Sequence, residues 1–400
     1  MMMKKASKLF LCILLVLFFC SPLWAADFGL ILDQTAGVSG NGDETNFDYS
    51  GILIPRFSTL LGSNGEFFIS AGMRAEYSNK EWTFVPELLR TEFDWRFGNA
   101  ALSVGRINYS DPLGYIAAGL FDGARFTYDT NAGTFGVGAW YTGFMYKNRA
   151  YITMTPEEGL AYGAKVDYDN FADTYFAPRR LLAAIDWEHP SLANLLIINF
   201  ALMGQFDLTK DGDLNSEYAV LSVALPIKSF IFDVGGSFEL IQDSGDSGMA
   251  FTADLGIGWM LPTSFASQLS FLGRYASAAS DSGNIYPFLP LTTVTQGYIL
   301  KAKLSSITLL QLEYAARVHR TVSLALTSTY FIRNDLTTYT GFGDEGKLLG
   351  NEFFVNLFWS PVSDLQVNLG GGLFLPSMGN VAPDAKSLWR IELGATWSLF

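Results

Sequence analysis

The sequence predicts an all-β membrane protein: a single transmembrane, antiparallel, up-and-down β-barrel behind a cleaved signal peptide. Eighteen strands is the expected count and sixteen the alternative. Three observations carry this. First, aromatic residues make up 15% of the 400 residues and charged residues only 16%, against roughly 25% charged in an ordinary soluble domain. Too little polar surface exists to wrap so much apolar mass. Second, after the N-terminus there is no run of about 18 uncharged apolar residues, so membrane helices are excluded. A closed barrel is then the way to satisfy every backbone N–H and C=O in lipid. Third, from Phe28 onward the chain is a succession of period-two stretches, the pattern of strands with one apolar and one wet face.

Residues 1–25 read as a secretory signal. Lys4, Lys5 and Lys8 form a basic start, residues 9–20 an apolar stretch, and residues 22–25 a small-residue cleavage site before Ala26. Residues 26–400 are then the barrel. Removing three lysines and no acid takes the net charge from −13 to −16. Such a charge repels phosphate and argues against nucleic-acid binding. Both cysteines, Cys12 and Cys20, leave with the signal. No disulfide or thiol metal site remains, which suits a chain crossing an oxidising periplasm unfolded.

The strands alternate cleanly in places. Phe67, Ile69, Ala71, Met73, Ala75 and Tyr77 share one parity; Ser70, Arg74, Glu76 and Ser78 share the other. Connection lengths alternate as well. Short turns are expected at 62–65, 97–100, 129–133, 188–191, 226–228, 262–264, 318–320 and 360–364. Between them lie longer, more acidic connections at 37–46, 111–118, 147–178, 209–214, 281–292, 335–346 and 377–385, with two brief ones near 79–80 and 242–247. Short turns at one end and long loops at the other are the bacterial outer-membrane pattern, which puts both termini in the periplasm and the acidic loops outside. Residues 293–318 are read as one long strand, because Tyr298, Leu300, Ala302, Leu304, Leu310, Leu312 and Tyr314 share a parity. All eight tryptophans after the signal fall near strand ends, Trp140 among them, as aromatic girdles require.

The last strand carries a family resemblance. Glu392, Gly394, Trp397 and Leu399, with Phe400 at the end, resemble the assembly signal of Gram-negative outer-membrane barrels, although Phe400 is one residue out of phase. The resemblance implies periplasmic chaperones and the barrel assembly machinery as partners, beside outer-membrane lipid. Gly105 and Arg106, followed by Leu120 through Phe121, Asp122 and Arg125 to Tyr128, resemble two adjacent strands of eighteen-stranded substrate-selective porins, particularly the alginate-export type. That implies Arg106 and Arg125 as ligands for anionic solutes in a pore. Arg106, however, shares parity with the apolar Leu102 and Val104, so only a bulge would turn it inward.

An eighteen-stranded barrel is too wide for side chains to fill and encloses water unless plugged. The first strand starts near Asp27, leaving no room after the signal for an N-terminal plug. Arg74, Glu76, Arg90, Glu92, Asp94, Arg96, Arg125, Asp129, Glu313, Arg317, Arg390 and Glu392 have lumen parity. They either pair across strands to stiffen the wall or set a transverse field that orients solutes. The 147–178 loop is rich in aromatics and carries Tyr162, Asp167, Asp169 and Asp173. It is expected to pack, either into the mouth as a constriction or outside as a lid. Asp211 and Asp213 are read as solvated acids rather than calcium ligands.

The two histidines, His189 and His319, fall at the turn end, away from the extracellular rim where outer-membrane hydrolases place theirs, so catalysis is not expected. Nothing calls for a cofactor or metal. The functional expectation is passive diffusion of small hydrophilic solutes. A hydrophobic-substrate transporter of the fatty-acid type, which a lateral wall opening would support, and a non-conducting surface barrel with adhesive loops are the alternatives. A homo-oligomer is compatible with all three.

Overall fold

The structure is a computed structural model that describes residues 26–399 apart from 43, 210, 211, 281, 282, 340–342 and 344. The signal segment, Phe400 and Asp211 therefore lie outside the described residues. Eighteen strands follow in chain order. The first six are β1 (Ala26–Gly40), β2 (Thr45–Leu61), β3 (Gly65–Ser78), β4 (Glu81–Phe97), β5 (Ala100–Ser110) and β6 (Ala118–Thr130). Next come β7 (Gly133–Tyr141), β8 (Arg180–Leu192), β9 (Leu196–Asp207), β10 (Asn215–Ile227), β11 (Phe230–Asp243) and β12 (Asp246–Leu261). The last six are β13 (Ser267–Ala276), β14 (Ile307–His319), β15 (Val322–Arg333), β16 (Leu348–Val362), β17 (Leu365–Leu375) and β18 (Leu388–Leu399). Each strand pairs antiparallel with its sequence neighbours, and β1 closes the sheet on β18 from Leu30–Leu399 to Gly40–Trp389.

Closure removes the sheet edges, and the pleat then sorts the side chains. In β18 the exposed Ile391, Leu393, Trp397 and Leu399 face outward, while Arg390, Glu392 and the buried Gly394 face inward. The same sorting on β3 and β4 leaves Met73, Phe84 and Leu88 outside. Among the described residues no helix is long and apolar enough to cross a membrane.

Among the described residues, eight short turns, with Ala26 and Leu399, lie at one end of the barrel, and nine loops at the other. One turn differs from expectation. β8 continues through Pro190 to Leu192, and the reversal comes at 193–195, where Ala193 and Asn194 adopt φ of 54° and 59°. Pro190 is tolerated because the pairing slips after His189–Ile198, so its missing N–H breaks no regular ladder bond.

Residues 293–318 are not one strand. β14 begins only at Ile307, and the described residues between β13 and β14 form a loop that turns into the barrel. Gly297, Lys301 and Ser306 have φ of 80°, 49° and 52°, which no strand accommodates. The apolar alternation read there reflects packing of Ala302 and Leu304 against the wall, with both side chains fully buried.

The core therefore lies inside the barrel, at the loop end of β5–β17. Inward side chains such as Ile107, Tyr109, Phe121, Leu182, Met203 and Val220 meet Met145, Ile152 and Met154 of the β7–β8 loop and Phe288, Leu291 and Leu304 of the β13–β14 loop. Trp140 belongs to this core. It is 1% exposed, faces inward and packs 4.3 Å from the Tyr109 ring, so it is not a girdle residue.

Candidate functional site: a loop-narrowed lumen

Two folded-in loops narrow the lumen. The β7–β8 loop (142–179) carries three short helices, α1 (Lys147–Ala150), α2 (Pro156–Gly163) and α3 (Phe171–Tyr175). A capping box starts α2: Thr155 accepts from the Glu158 N–H, and the Glu158 carboxylate accepts from the Thr155 N–H. The same carboxylate accepts two hydrogen bonds from Arg180, at 2.9 and 2.7 Å. Arg180 is fully buried and also donates to Gln205 Oε1 and the Leu214 carbonyl. Charge and geometry thus fix the loop to β8 and β9. Lys147 Nζ donates to the Ala161 and Ala164 carbonyls, tying α1 to the end of α2. The short β5–β6 loop is knotted by buried Asp111, which accepts from the N–H groups of Leu113, Gly114, Ile116 and Ala117.

Opposite these loops, β18 and β1–β4 present an open charged wall. Arg74 bonds Glu87 and Ser50, and Arg149 of α1 reaches the same Glu87 at 3.0 Å. Arg390 pairs with Asp48 and Glu392, each at 2.9 Å. Arg90 pairs with Glu92 and lies 4.8 Å over the Phe68 ring, and Asp94 accepts from Ser103. Further round, Arg125 meets Asp186, and Arg274 bonds Asp254 and Gln296. Many of these inward groups stay open to water: Asp48 is 41%, Arg90 42%, Arg125 32% and Glu76 28% exposed at the side chain.

The tip of the β13–β14 loop reaches this wall. Lys301 is exposed to the lumen, yet the walls enclose it. That enclosure, with Arg390 beside it, holds its ammonium below the ordinary lysine range, while Glu392, Asp48 and Glu352 oppose the shift. Lys303 is lowered by the same enclosure, opposed by Glu158. Tyr162 stacks on Tyr151 at 4.5 Å. Burial, then the nearby Tyr151 and Glu76, push its phenol up to about 12.

The expected lumen residues fall on the inner face at Arg74, Glu76, Arg90, Glu92, Asp94, Arg96, Arg125, Asp129, Glu313, Arg390 and Glu392, as the strand registers place them. Arg317 lies beyond the last regular pair, Ala316–Leu324, at the turn rim. Of the four loop residues, Tyr162 is half-buried near Glu76 of the wall, whereas Asp167, Asp169 and Asp173 are exposed. Asp173 and Tyr162 line the same cavity, about 1180 Å³, between the β7–β8 loop and its neighbours. Asp213 is exposed too, and among the described residues no group of three metal-ligating side chains comes together.

Residues the sequence did not single out are Arg149, Glu158, Arg180, Lys301, Lys303 and Glu352. Paired charge at α2 and the start of β8 was the available signal for Glu158 and Arg180.

Arg106 is not in the lumen. The bulge in this region falls in β4, where Leu89 is the extra residue between Ser70–Arg90 and Ala71–Leu88. β5 therefore keeps its phase. Gly105, at φ 122°, lets Thr91 O approach where a Cβ would collide, and the next residue points outward. Arg106 is nevertheless 5% exposed. Its guanidinium bonds both Asp122 oxygens at 2.8 Å, the Leu88 carbonyl, and the Phe144 carbonyl at 3.0 Å. It stands where β4 and β5 part, since their pairing runs only from Phe97–Ala100 to Thr91–Arg106. Above that point the β7–β8 loop fills the seam. Tyr175 donates to the Pro86 carbonyl, and Val85, Tyr146, Val166 and Tyr175 form a small core of their own.

These features define a class of molecule: a closed eighteen-stranded membrane barrel whose loops fold inward over a charged, wet wall. Solved barrels of the same architecture exist in Pseudomonas aeruginosa. The chain is similar to OpdQ, with 12% identity and a TM-score of 0.60 over 94% of this chain and 98% of that one. It is similar to OccK2 (OpdF) in complex with glucuronate, with 12% identity and a TM-score of 0.62 over 94% and 96%. It is similar to OprD, with 11% identity and a TM-score of 0.59 over 94% and 95%. At these identities the likeness establishes the fold. No family model and no curated protein sequence matches the chain.

Proposed function

We propose that the chain is an outer-membrane, porin-like channel for passive diffusion of small hydrophilic solutes. In this reading residues 1–25 are a cleaved signal, the turn end is periplasmic, and the long acidic loops face outward. The observation that carries it is the solvent exposure of inward charges along β18 and β1–β6, which a plugged or dry barrel would bury. Pairing of those charges across strands keeps them rigid, and rings of fixed charge are what select ions and orient solutes in a pore. Glucuronate in the OccK2 complex, a small hydroxylated anion, supports solutes of that size and polarity. Catalysis forms no part of this reading.

Liposome swelling tests it. Proteoliposomes of residues 26–400 are expected to swell in pentoses and hexoses and to slow steeply with oligosaccharides. No swelling in any sugar, from demonstrably folded protein, overturns it.

One observation favours a second reading, transport of an apolar solute through the wall. β4 and β5 separate above Thr91–Arg106, and only loop contacts seal the seam. If that seam is a gate, Arg106→Met should speed transfer of a fluorescent fatty acid across proteoliposomes. Equal rates count against it.

A further inference from the structure

We infer that Glu352 is the positioning residue of the narrowing: from the barrel wall it grips the tip of the β13–β14 loop and so sets where Lys301 and Lys303 stand in the lumen. The inference rests on the channel reading above.

The grip is built from one face of one strand. Glu352 lies on the inner face of β16 and is 1% exposed. Its carboxylate accepts three consecutive backbone N–H groups, from Tyr298 at 2.6 Å, Ile299 at 3.0 Å and Leu300 at 2.9 Å. Two positions on, Phe354 faces the same way and stacks on Tyr298, with ring centroids 4.3 Å apart and planes at 12°. Gly297 enters the turn at φ 80°, where an added Cβ would meet Glu352 Oε2 at 2.9 Å and the Phe331 ring. Gln296 and Ala302 close the tip with two mutual backbone bonds of 2.7 and 2.9 Å. Gln296 is held in turn by Arg274. What leaves this closed tip is Lys301, exposed among Arg390, Glu392 and Asp48, followed by Lys303 near Glu158.

A carboxylate suits this role because it has only acceptors and can serve several converging N–H groups. A glutamine offers one acceptor oxygen and turns an amide NH₂ towards the remaining donors. It keeps the volume but cannot hold the tip. Aspartate keeps the charge and falls short by one methylene.

The two effects of neutralising Glu352 have opposite signs. Removing a negative charge beside the lumen would by itself favour anions. Releasing the lysines from the narrowing favours cations. The test is the zero-current potential of refolded residues 26–400 in a planar bilayer under a KCl gradient, for wild type, E352Q, E352D and the K301Q/K303Q double variant. E352Q is expected to shift in the same direction as K301Q/K303Q and by at least half as much, with E352D between it and wild type. A shift towards anions, or none, overturns the inference.

A second readout does not need conduction. Since no cysteine follows residue 25, K301C carries a unique thiol. Its labelling by a charged methanethiosulfonate in detergent should change at least threefold when E352Q is added. Unchanged labelling overturns the inference. A wild type that is silent in the bilayer while labelling still responds to E352Q would defeat the channel reading and leave the grip standing.

Discussion

The two halves of the barrel wall solve different problems with the same strand geometry. From β5 to β13 the inner face at the loop end is apolar, because folded-in loops cover it: Ile107, Phe121, Leu182, Met203 and Val220 are each less than 5% exposed. From β18 round to β4 the inner face is largely charged and wet, with Arg390, Glu392, Arg74 and Glu76 on it, whereas β14–β17 add Ile307, Leu309, Phe331 and Phe374 to the buried core. Strand periodicity is equally strict in both. What differs is the meaning of an inward position. In one half it is the core of a small globular assembly; in the other it is the bank of a water channel. A barrel of this width can thus carry a conventional hydrophobic core on one side of its lumen and leave the other open.

That contrast can be broken most severely at Arg180. It is fully buried between Glu158 and Gln205, and removing one member of a buried pair costs about 3–5 kcal/mol. Arg180→Met is expected to lower the denaturant midpoint in lipid vesicles by that equivalent and to expose the 142–179 loop to protease. A variant as stable as wild type would show that the loop is not anchored there.

On the open side, Arg390→Gln should do the reverse. Its partner Asp48 is 41% exposed, so the pair contributes at most about 1 kcal/mol. The change should register in the zero-current potential, moved towards cations, with little loss of stability. A large stability loss would mean that the open wall is held together by its ion pairs.

The third expectation is a pH dependence. Enclosure holds Lys301 and Lys303 below the ordinary lysine value of 10.5, so they lose their protons at lower pH than free lysines do. Anion preference should therefore decline as pH rises while still below 10.5, and K301Q/K303Q should abolish that decline. A preference constant up to pH 10.5 would contradict the placement of these lysines. The smallest effect is expected from Asp167→Asn with Asp169→Asn. Both residues are exposed on the β7–β8 loop, so conductance should stay within about a tenth of wild type at 0.15 M salt, where screening is strong.

The same contrast explains what could be read from sequence. On the open side the pattern was almost fully legible: β3 and β18 alternate apolar and polar residues because one face meets lipid and the other water. The strand count followed from turns such as 98–99 and 363–364, whose short, polar residues mark reversals. On the packed side, inward Trp140 reads as a girdle residue, because an apolar side chain does not announce which apolar surroundings it meets. Residues 293–306 failed for the same reason. Their alternation is the imprint of a loop lying along a wall, and Gly297 and Lys301 reverse the chain without a turn signature. The charge at Arg106 was visible, but its environment depends on β4 and β5 parting, a long-range feature that no local pattern encodes.

The central claim is that the open wall leaves a water path through the barrel. Single-channel recording of refolded residues 26–400 in a planar bilayer tests it most directly. Discrete, long-lived conductance steps of uniform size are expected, smaller than those of a version in which residues 277–306 are replaced by a short glycine-rich turn. Silence from wild-type protein shown to be folded and inserted, with steps appearing only in the shortened version, would contradict the account and make the folded-in loops a plug.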